Sequence, residues 1–307
     1  MKAAFFMKNG GPEVMQYGDV PDPVVGPGQI LADIHAASVN GADWKVRSGA
    51  YRPITQFPYI MGRDFSGVVS AVGAGVTDLK VGDPVFGVVE QVDDGCYAEK
   101  VAIKASIVAK KPDSLSHVEA ASLALIGLTA LVSIEDTLKL RKGETILVQG
   151  GAGGVASFGL QVAKHIGARV ITTASAANHD YLRKLGADQI IDYNKEDFTK
   201  AVSGVDAVFD TVGGDVVNRS FAVLKPGGRL ASIGAGPKAP PSPRSDVASL
   251  RPAVGRDRPH LERIVELVKK GAVKLPEIKV YSLKEAAEAH RVSEGRHLRG
   301  KLVFKVR

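Results

Sequence analysis

Apolar and polar residues alternate in short runs over the first third of the chain. "QILADIHAASV", "FSGVVSAVGAGV", "DPVFGVV" and "CYAEKVAI" each read as a strand, punctuated by Gly, Pro and Asp. From Met1 to about Asp113 this is the rhythm of a β-barrel or sandwich. The period then changes. "DSLSHVEAASLALIGLTALVSIEDTLKL" carries apolar residues at helical spacing, with Ser114 or Ser116 placed to cap it.

Beyond Leu140 strand and helix patterns take turns. "TILVQ", "RVITTAS", "QIIDY", "DAVFDTV" and "GGRLASIG" predict strands; helices are expected from about Gly154 to His165, in "NHDYLRKLG" and in "KEDFTKAV". Gly167 can end the first helix in a left-handed conformation. Such alternation predicts a parallel sheet with right-handed crossovers, the α/β architecture of a doubly wound nucleotide-binding domain. "GPKAPPSPRSDVASLRP" reads as a loop. After it come a helix in "PHLERIVELVKKG", the stretch "EIKVYSL", a helix in "KEAAEAHRVSEG" and a strand "GKLVFKV" whose alternation suits the first domain's sheet. The expected division is a β-rich domain over 1–118 and 272–307, and a nucleotide-binding domain over 119–271.

Four glycines, Gly150, Gly151, Gly153 and Gly154, separate "TILVQ" from the helix after it. Glycine loses the most backbone entropy on folding, so such a cluster marks a place where side chains are not tolerated. Gly150-x-x-Gly153-x-x-Ala156 between a strand and a helix is the context of a dinucleotide fingerprint. The glycines let a pyrophosphate approach, and the first-turn N–H groups of the helix, Gly154 and Val155 among them, neutralise it. At the end of the second strand an Asp or Glu would hold an unphosphorylated ribose. Here stand Thr172, Thr173, Ala174 and Ser175. The hydroxyls of Thr173 and Ser175 can donate to a 2′-phosphate that a carboxylate would repel, so NADPH is expected ahead of NADH.

Composition adds limits. With 307 residues, 45% hydrophobic and 24% charged, the chain has material for two soluble domains. Its single cysteine, Cys96, excludes an intrachain disulfide framework and a multi-cysteine zinc cluster, and suits a reducing compartment. "MKAAFFMKNGGPEV" lacks a signal peptide's apolar core, and no later run is expected to reach membrane-crossing length; a cytoplasmic protein is expected. The net charge of +7 permits a polyanionic partner, yet Lys and Arg are scattered and no aromatic-interleaved basic stripe occurs. Binding of an anionic small molecule explains the balance as well. No P-loop lysine follows the glycines and no Ser-His-Asp spacing occurs, so phosphotransfer and hydrolase readings drop out.

Taken in order, "ASVNGADWKVRSGAY", "PYIMGRDFSGVVSAVGAGVTDLKVGDPVFG", "GLTA", "ILVQGGAGGVA", "GADQIIDYNKEDF", "FDTVGG" and "RGKLVF" resemble the zinc-independent quinone oxidoreductases. These zeta-crystallin-like and enone-reducing enzymes form part of the medium-chain dehydrogenase/reductase superfamily. The resemblance runs almost end to end. It implies a GroES-like β-barrel catalytic domain around a Rossmann domain, an active site in the cleft, and a homodimer. Where the superfamily's alcohol dehydrogenases resemble Gly-His-Glu this chain has Gly62-Arg63-Asp64, and "HAASVN" lacks their first cysteine ligand. No zinc is expected, since a catalytic site needs three protein ligands. Without a Lewis acid to stabilise charge, the acceptors that remain suitable are quinones and α,β-unsaturated carbonyls, which spread the developing charge over a phenolate or enolate.

The resemblance also assigns residues. "VNxxDxxxRxGxY" lines the substrate cleft in the family and maps to Asn40, Asp43, Arg47 and Tyr51. Asn40 either donates an amide N–H to the substrate oxygen or is a turn residue before Gly41; Tyr51 offers a phenol. Asp43 reads as a structural anchor. Lys45 stands where many members have tyrosine, either as a cation beside the oxyanion or as an exposed lysine. Arg63 either pairs with Asp64 or contacts substrate. Thr129 corresponds to the position that orients the nicotinamide carboxamide, or else bonds its own helix. Tyr193 matches the family's 2′-phosphate tyrosine, but Ala176 stands where the family has a basic residue. Asp210, Val212 and Gly234 match the loops near the nicotinamide, and Arg299 and Lys301 either reach cofactor phosphates or are solvated. Two alternatives stand beside an NADPH-dependent quinone or enone reductase: an enoyl-thioester reductase, and a catalytically silent NADPH- or RNA-binding protein.

Overall fold

In the computed structural model, which describes residues 1–51, 54–90 and 95–307, the chain forms two units. The first comprises Met1–Leu125, Arg256–Glu266 and Glu277–Arg307; the second comprises Ile126–Gly255 and Leu267–Pro276. The joins differ from the expected ones; two of them, at Leu125 and Glu266, fall inside helices, where no local break in pattern marks them.

The first unit opens with β1 (Lys2–Phe6), β2 (Met15–Asp19), β3 (Gln29–Val39), the short helix α1 (Gly41–Arg47), β4 (Tyr59–Ile60) and β5 (Asp64–Val72). It continues with β6 (Pro84–Val88), β7 (Lys100–Lys104), β8 (Val108–Lys110) and the start of α2 (His117–Leu131). Ser116 does cap α2: its Oγ accepts from the Glu119 N–H at 3.2 Å while Glu119 accepts from the Ser116 N–H at 2.7 Å.

The second unit holds β9 (Thr145–Gln149), α3 (Gly154–Ile166), β10 (Arg169–Ala174), α4 (His179–Lys184), β11 (Gln189–Asp192) and α5 (Phe198–Ala201). After these come β12 (Val205–Asp210), α6 (Asp215–Ser220), β13 (Leu224–Ser232) and β14 (Ala248–Leu250). The strand β14 lies inside the tract read as a loop, where Pro and Ser hide a three-residue pairing with β13. The chain then forms α7 (Arg258–Lys269), and re-enters the first unit with β15 (Ile278–Tyr281), α8 (Ala286–Glu294) and β16 (Lys301–Lys305).

In the first unit seven strands form one sheet in the order β15-β16-β3-β5-β6-β8, with β7 also on β3, and β2-β1-β4 form a second. The late strand β16 pairs antiparallel with β3, Leu302 opposite Val39. Alternation along β3 sends Ile30, Ala32 and Ile34 into a core with Phe65, Val85 and Phe304. In the second unit the six strands run parallel in the order β11-β10-β9-β12-β13-β14. Numbered from β9, that is the 3-2-1-4-5-6 order of a dinucleotide-binding sheet, with its topological switch between β9 and β12. Gly167, at φ 92°, ends α3 in the left-handed conformation anticipated for it.

One expectation is corrected. The helical stretch His117–Thr137 is long and apolar enough to cross a membrane by length and composition, with a mean hydropathy of 1.7. Its most apolar window is 78% buried within the protein, as a core helix is. The two demands look alike in sequence, because a helix covered on all sides needs no polar face.

Candidate active site

Every loop matched to cofactor binding in the second unit, save Thr129, leaves the C-terminal end of a parallel strand. At these ends ligands bind in open α/β sheets. The turn after β9 shows which glycines answer to the protein itself. Gly150 sits at φ +74°, a conformation side chains resist, and a Cβ on Gly151 would collide with the Thr172 hydroxyl. Gly153 is different. Its φ is −69°, open to any residue, and a Cβ there would meet nothing nearer than the Gly150 carbonyl at 3.5 Å. As the N-cap of α3 it also supplies no side chain to the first-turn N–H groups, which include those of Gly154 and Val155. The vacancy suits a phosphate.

The two threonines after the glycine turn face inward. Thr172 donates its hydroxyl to the Val148 carbonyl at 2.7 Å. Thr173, buried, donates to Gln149 Oε1 at 2.7 Å and accepts from the Gly150 N–H at 3.1 Å. Its expected part in holding a 2′-phosphate is therefore corrected: it braces the turn. Ser175, half-buried at the end of β10, accepts from Asn178 Nδ2 at 3.1 Å, and Tyr193 stands exposed after β11.

The loop after β12 is likewise tied down from within. Asp210, fully buried, accepts from the N–H groups of Val212 and Gly213, each at 3.1 Å, and from Ser232 Oγ at 2.6 Å. No oxygen of that carboxylate is left over for a ribose; Asp210 shapes the loop, while Val212 is exposed at its tip. Gly234 is glycine because the backbone of Val212 and Gly213 packs on it, and a Cβ on Gly213 would in turn strike the Gly234 carbonyl. Both glycines serve the meeting of two loops. Thr129 is buried in α2, and its carbonyl accepts from Ser133 Oγ at 2.6 Å.

In the first unit a polar row crosses one end of the sheet. Asn40, 9% exposed, follows β3 and caps the entry to α1; its backbone N–H donates to Asp43 Oδ2 at 2.8 Å. Its side-chain Nδ2 donates to Asp64 Oδ1 at 2.8 Å, and its Oδ1 accepts from Lys301 Nζ at 2.7 Å. Asp64 Oδ2 accepts from the Leu125 N–H at 3.2 Å. Asp43 also accepts from the Tyr97 hydroxyl at 2.7 Å, and burial pushes its carboxyl up to about 6. Tyr97 in turn covers Gly62, where a Cβ would enter its ring.

This row revises several assignments. Lys301, expected either on cofactor phosphates or in solvent, is in neither place: it is only 3% exposed and its ammonium bonds Asn40 and, at 2.8 Å, the Val39 carbonyl. Arg63 and Asp64 do not pair with each other: Arg63 donates to the Glu90 carbonyl at 2.7 Å and to the Tyr59 hydroxyl. Arg47 is fully buried, bonded to the Gly10 carbonyl, His290 Nδ1 and Glu294, so it ties α1 to α8 rather than lining a cleft. Arg299 pairs with Glu277 at 2.7 Å. Lys45 is half-buried over Trp44, and burial, then Arg296, lowers its pKa. Tyr51 is exposed, its N–H on the Lys45 carbonyl at 3.0 Å. Sequence reasoning passed over Arg256, which donates to the Val89 carbonyl at 3.2 Å; burial and then Arg63 lower its pKa. In the sequence it is only one of two arginines between a Pro-rich tract and the helix expected after it.

Two family models match the chain: an alcohol dehydrogenase GroES-like domain over residues 26–113 and a zinc-binding dehydrogenase domain over residues 185–304. An NADPH-dependent alkenal/one oxidoreductase of Arabidopsis thaliana chloroplasts is 34% identical, over 85% of this chain and 69% of that protein. A quinone oxidoreductase structure from Coxiella burnetii superposes with a TM-score of 0.90 at 37% identity, covering 100% of this chain and 99% of the other. The chain belongs to the medium-chain dehydrogenase/reductase superfamily, among its quinone and enone reductases. A further member, the Escherichia coli quinone oxidoreductase complexed with NADPH, gives a TM-score of 0.90 at 29% identity over the whole of both chains.

Membership in this superfamily raises zinc, and the donor set does not fit it. Among the described residues no group of three His, Cys, Asp or Glu side chains converges. Cys96 is buried, its Sγ 3.6 Å from the Arg63 carbonyl, and burial holds the thiol well above its usual pKa. Asp64, the nearest carboxylate in sequence to the family's zinc position, is committed to Asn40 and Leu125.

Proposed function

We propose that this protein is an NADPH-dependent reductase that transfers hydride to a quinone or an α,β-unsaturated carbonyl. The observation that carries the reading is Gly153. Its conformation and surroundings would accept a side chain, so its bareness at the N-terminus of α3 serves a ligand. The residues fit the cofactor: the glycine turn and first-turn N–H groups would hold its pyrophosphate. Ser175 and Tyr193, just beyond β10 and β11, would meet the 2′-phosphate. When bound, NADPH supplies the hydride.

The first unit would receive the acceptor. Asn40 donates an N–H to the carbonyl oxygen on which charge develops, and Lys45 within α1 and Tyr51 after it are further donors. The remaining Nδ2 hydrogen of Asn40 is held only by the Ser38 carbonyl at 3.4 Å, long for such a bond and open to exchange for a better acceptor. The relatives named as quinone and alkenal/one oxidoreductases support this acceptor class. The protein works without zinc in this reading, as a homodimer in the cytoplasm.

A panel of quinones, enones and enoyl thioesters, each with NADPH and NADH and each with and without a chelator, tests the reading. Metal-independent oxidation of NADPH by a quinone or enone is expected. A folded protein inert to all three classes would sink it, and turnover confined to thioesters would move it to the enoyl-thioester reductases. Light scattering of the eluted protein checks the dimer.

A further inference from the structure

We propose that Lys301 is a positioning residue for Asn40: together with Asp64 it fixes which end of the Asn40 amide is turned toward a bound acceptor. This rests on the reading in which Asn40 meets the acceptor's oxygen. The two ends of an amide are almost the same size, so packing cannot tell them apart and only hydrogen-bond partners can. An ammonium only donates. A carboxylate only accepts. With Lys301 Nζ 2.7 Å from one end and Asp64 Oδ1 2.8 Å from the other, the oxygen must face the lysine and the nitrogen the carboxylate.

The arrangement follows from topology. Lys301, Asn40 and Asp64 stand at one end of β16, β3 and β5, which are neighbours in the sheet, with Leu302 opposite Val39 and Ser38 opposite Asp64. The amide is thereby inserted into what would otherwise be an ion pair. Burial works against the Lys301 charge, and the carboxylates of Asp64 and Asp43 work for it. A second bond to the Val39 carbonyl at 2.8 Å keeps the ammonium from swinging away.

The consequence is a polarity at the site. The end of Asn40 that remains able to bond a ligand is its second Nδ2 hydrogen, so the site offers a donor and favours a carbonyl or enolate oxygen over a group that must donate. An amide free to flip would present its oxygen part of the time and repel that same atom.

Three variants test this: Lys301→Met, Asn40→Ala and the double substitution. With the quinone or enone that the native protein reduces, Lys301→Met is expected to lower kcat/KM about ten-fold or more while leaving the Kd for NADPH unchanged. In the Asn40→Ala background the same substitution is expected to add almost nothing, because its effect passes through the missing amide. Losses that multiply in the double variant, or a weakened Kd for NADPH, would overturn the proposal. Lys301→Gln, which keeps an N–H donor without the charge, is expected to retain part of the activity, and it carries the same readings should Lys301→Met not fold.

A readout without turnover separates this proposal from the functional reading. The Asn40 side-chain NH₂ signals, identified by their loss in Asn40→Ala, are expected to shift and to exchange faster with water in Lys301→Met or Lys301→Gln. Signals unmoved in both would refute the positioning role even if the native enzyme were fully active. A native protein inert to every acceptor, with the signals moving as expected, would leave the lysine's role standing and remove the substrate assignment.

Discussion

The glycine turn after β9 and the polar row across β16, β3 and β5 are built from opposite materials. In the second unit the site is made by leaving side chains out, and its neighbours Thr173 and Asp210 spend their polar atoms bracing the loops around it. In the first unit the site is made by crowding polar groups in, with Asn40, Asp64 and Lys301 buried and bonded to one another in a row. The contrast follows from what each must hold. A pyrophosphate brings its own charge and asks for backbone N–H groups within reach, whereas an uncharged carbonyl brings almost none and needs a donor already fixed in place.

If that contrast is right, substitutions should divide cleanly between binding and folding. The largest effect is expected at Gly153. Gly153→Val should weaken NADPH binding by about a hundredfold, ~2.7 kcal/mol, while the altered cap costs only ~1 kcal/mol of stability. Titration of cofactor fluorescence and a thermal melt read the two. Gly151→Ala should do the reverse in proportion, since its methyl group meets the Thr172 hydroxyl inside the protein, and lose ~2 kcal/mol of stability. Equal loss of stability at the two positions would erase the distinction drawn between them.

The next prediction concerns two histidines of the first unit, His290 buried and His117 half-buried. Burial, then Arg47, holds His290 down to about 3, and burial, then His35, holds His117 down to about 4. Both folded values lie below the ordinary 6.5, so the unfolded chain binds more protons as pH falls through that value. Stability that is fully present above pH 6.5 should therefore drain away below it, by up to about 1.4 kcal/mol per pH unit for His290 and by less for the half-exposed, solvent-screened His117. Asp43 works the other way. Its folded value near 6 stabilises the protein below pH 3.8 and loses that contribution as pH rises to 6, offsetting one histidine in the window they share. Urea unfolding from pH 7 to pH 5 should show the decline, and His117→Gln should make it shallower. The smallest change is expected at the end of β10, where Ser175→Asp should move the NADPH-to-NADH preference about ten-fold toward NADH in parallel kcat/KM measurements.

Much of this was legible in the sequence because it is local. Strand and helix periods, the glycine turn before α3 and the absence of cysteine and histidine at the family's zinc positions are all readable within a few residues. What was hidden depends on distant partners. Lys301 looked like a tail cation because nothing near it mentions Asn40, from which 261 positions separate it. Thr173 and Asp210 looked like ligands for a cofactor because a polar side chain at a strand end gives no sign of which way it turns. The short helix α1 and the three-residue β14 are each too brief for a period to show.

The place of β16 in the chain also bears on how the protein is made. Residues of the second unit up to Pro276 leave the ribosome before β16 does, so that unit can fold while β3 still lacks its neighbour. Until translation reaches Lys301, the nascent chain displays an open strand edge at Ala36–Val39, the kind of surface that chaperones shield and aggregates recruit.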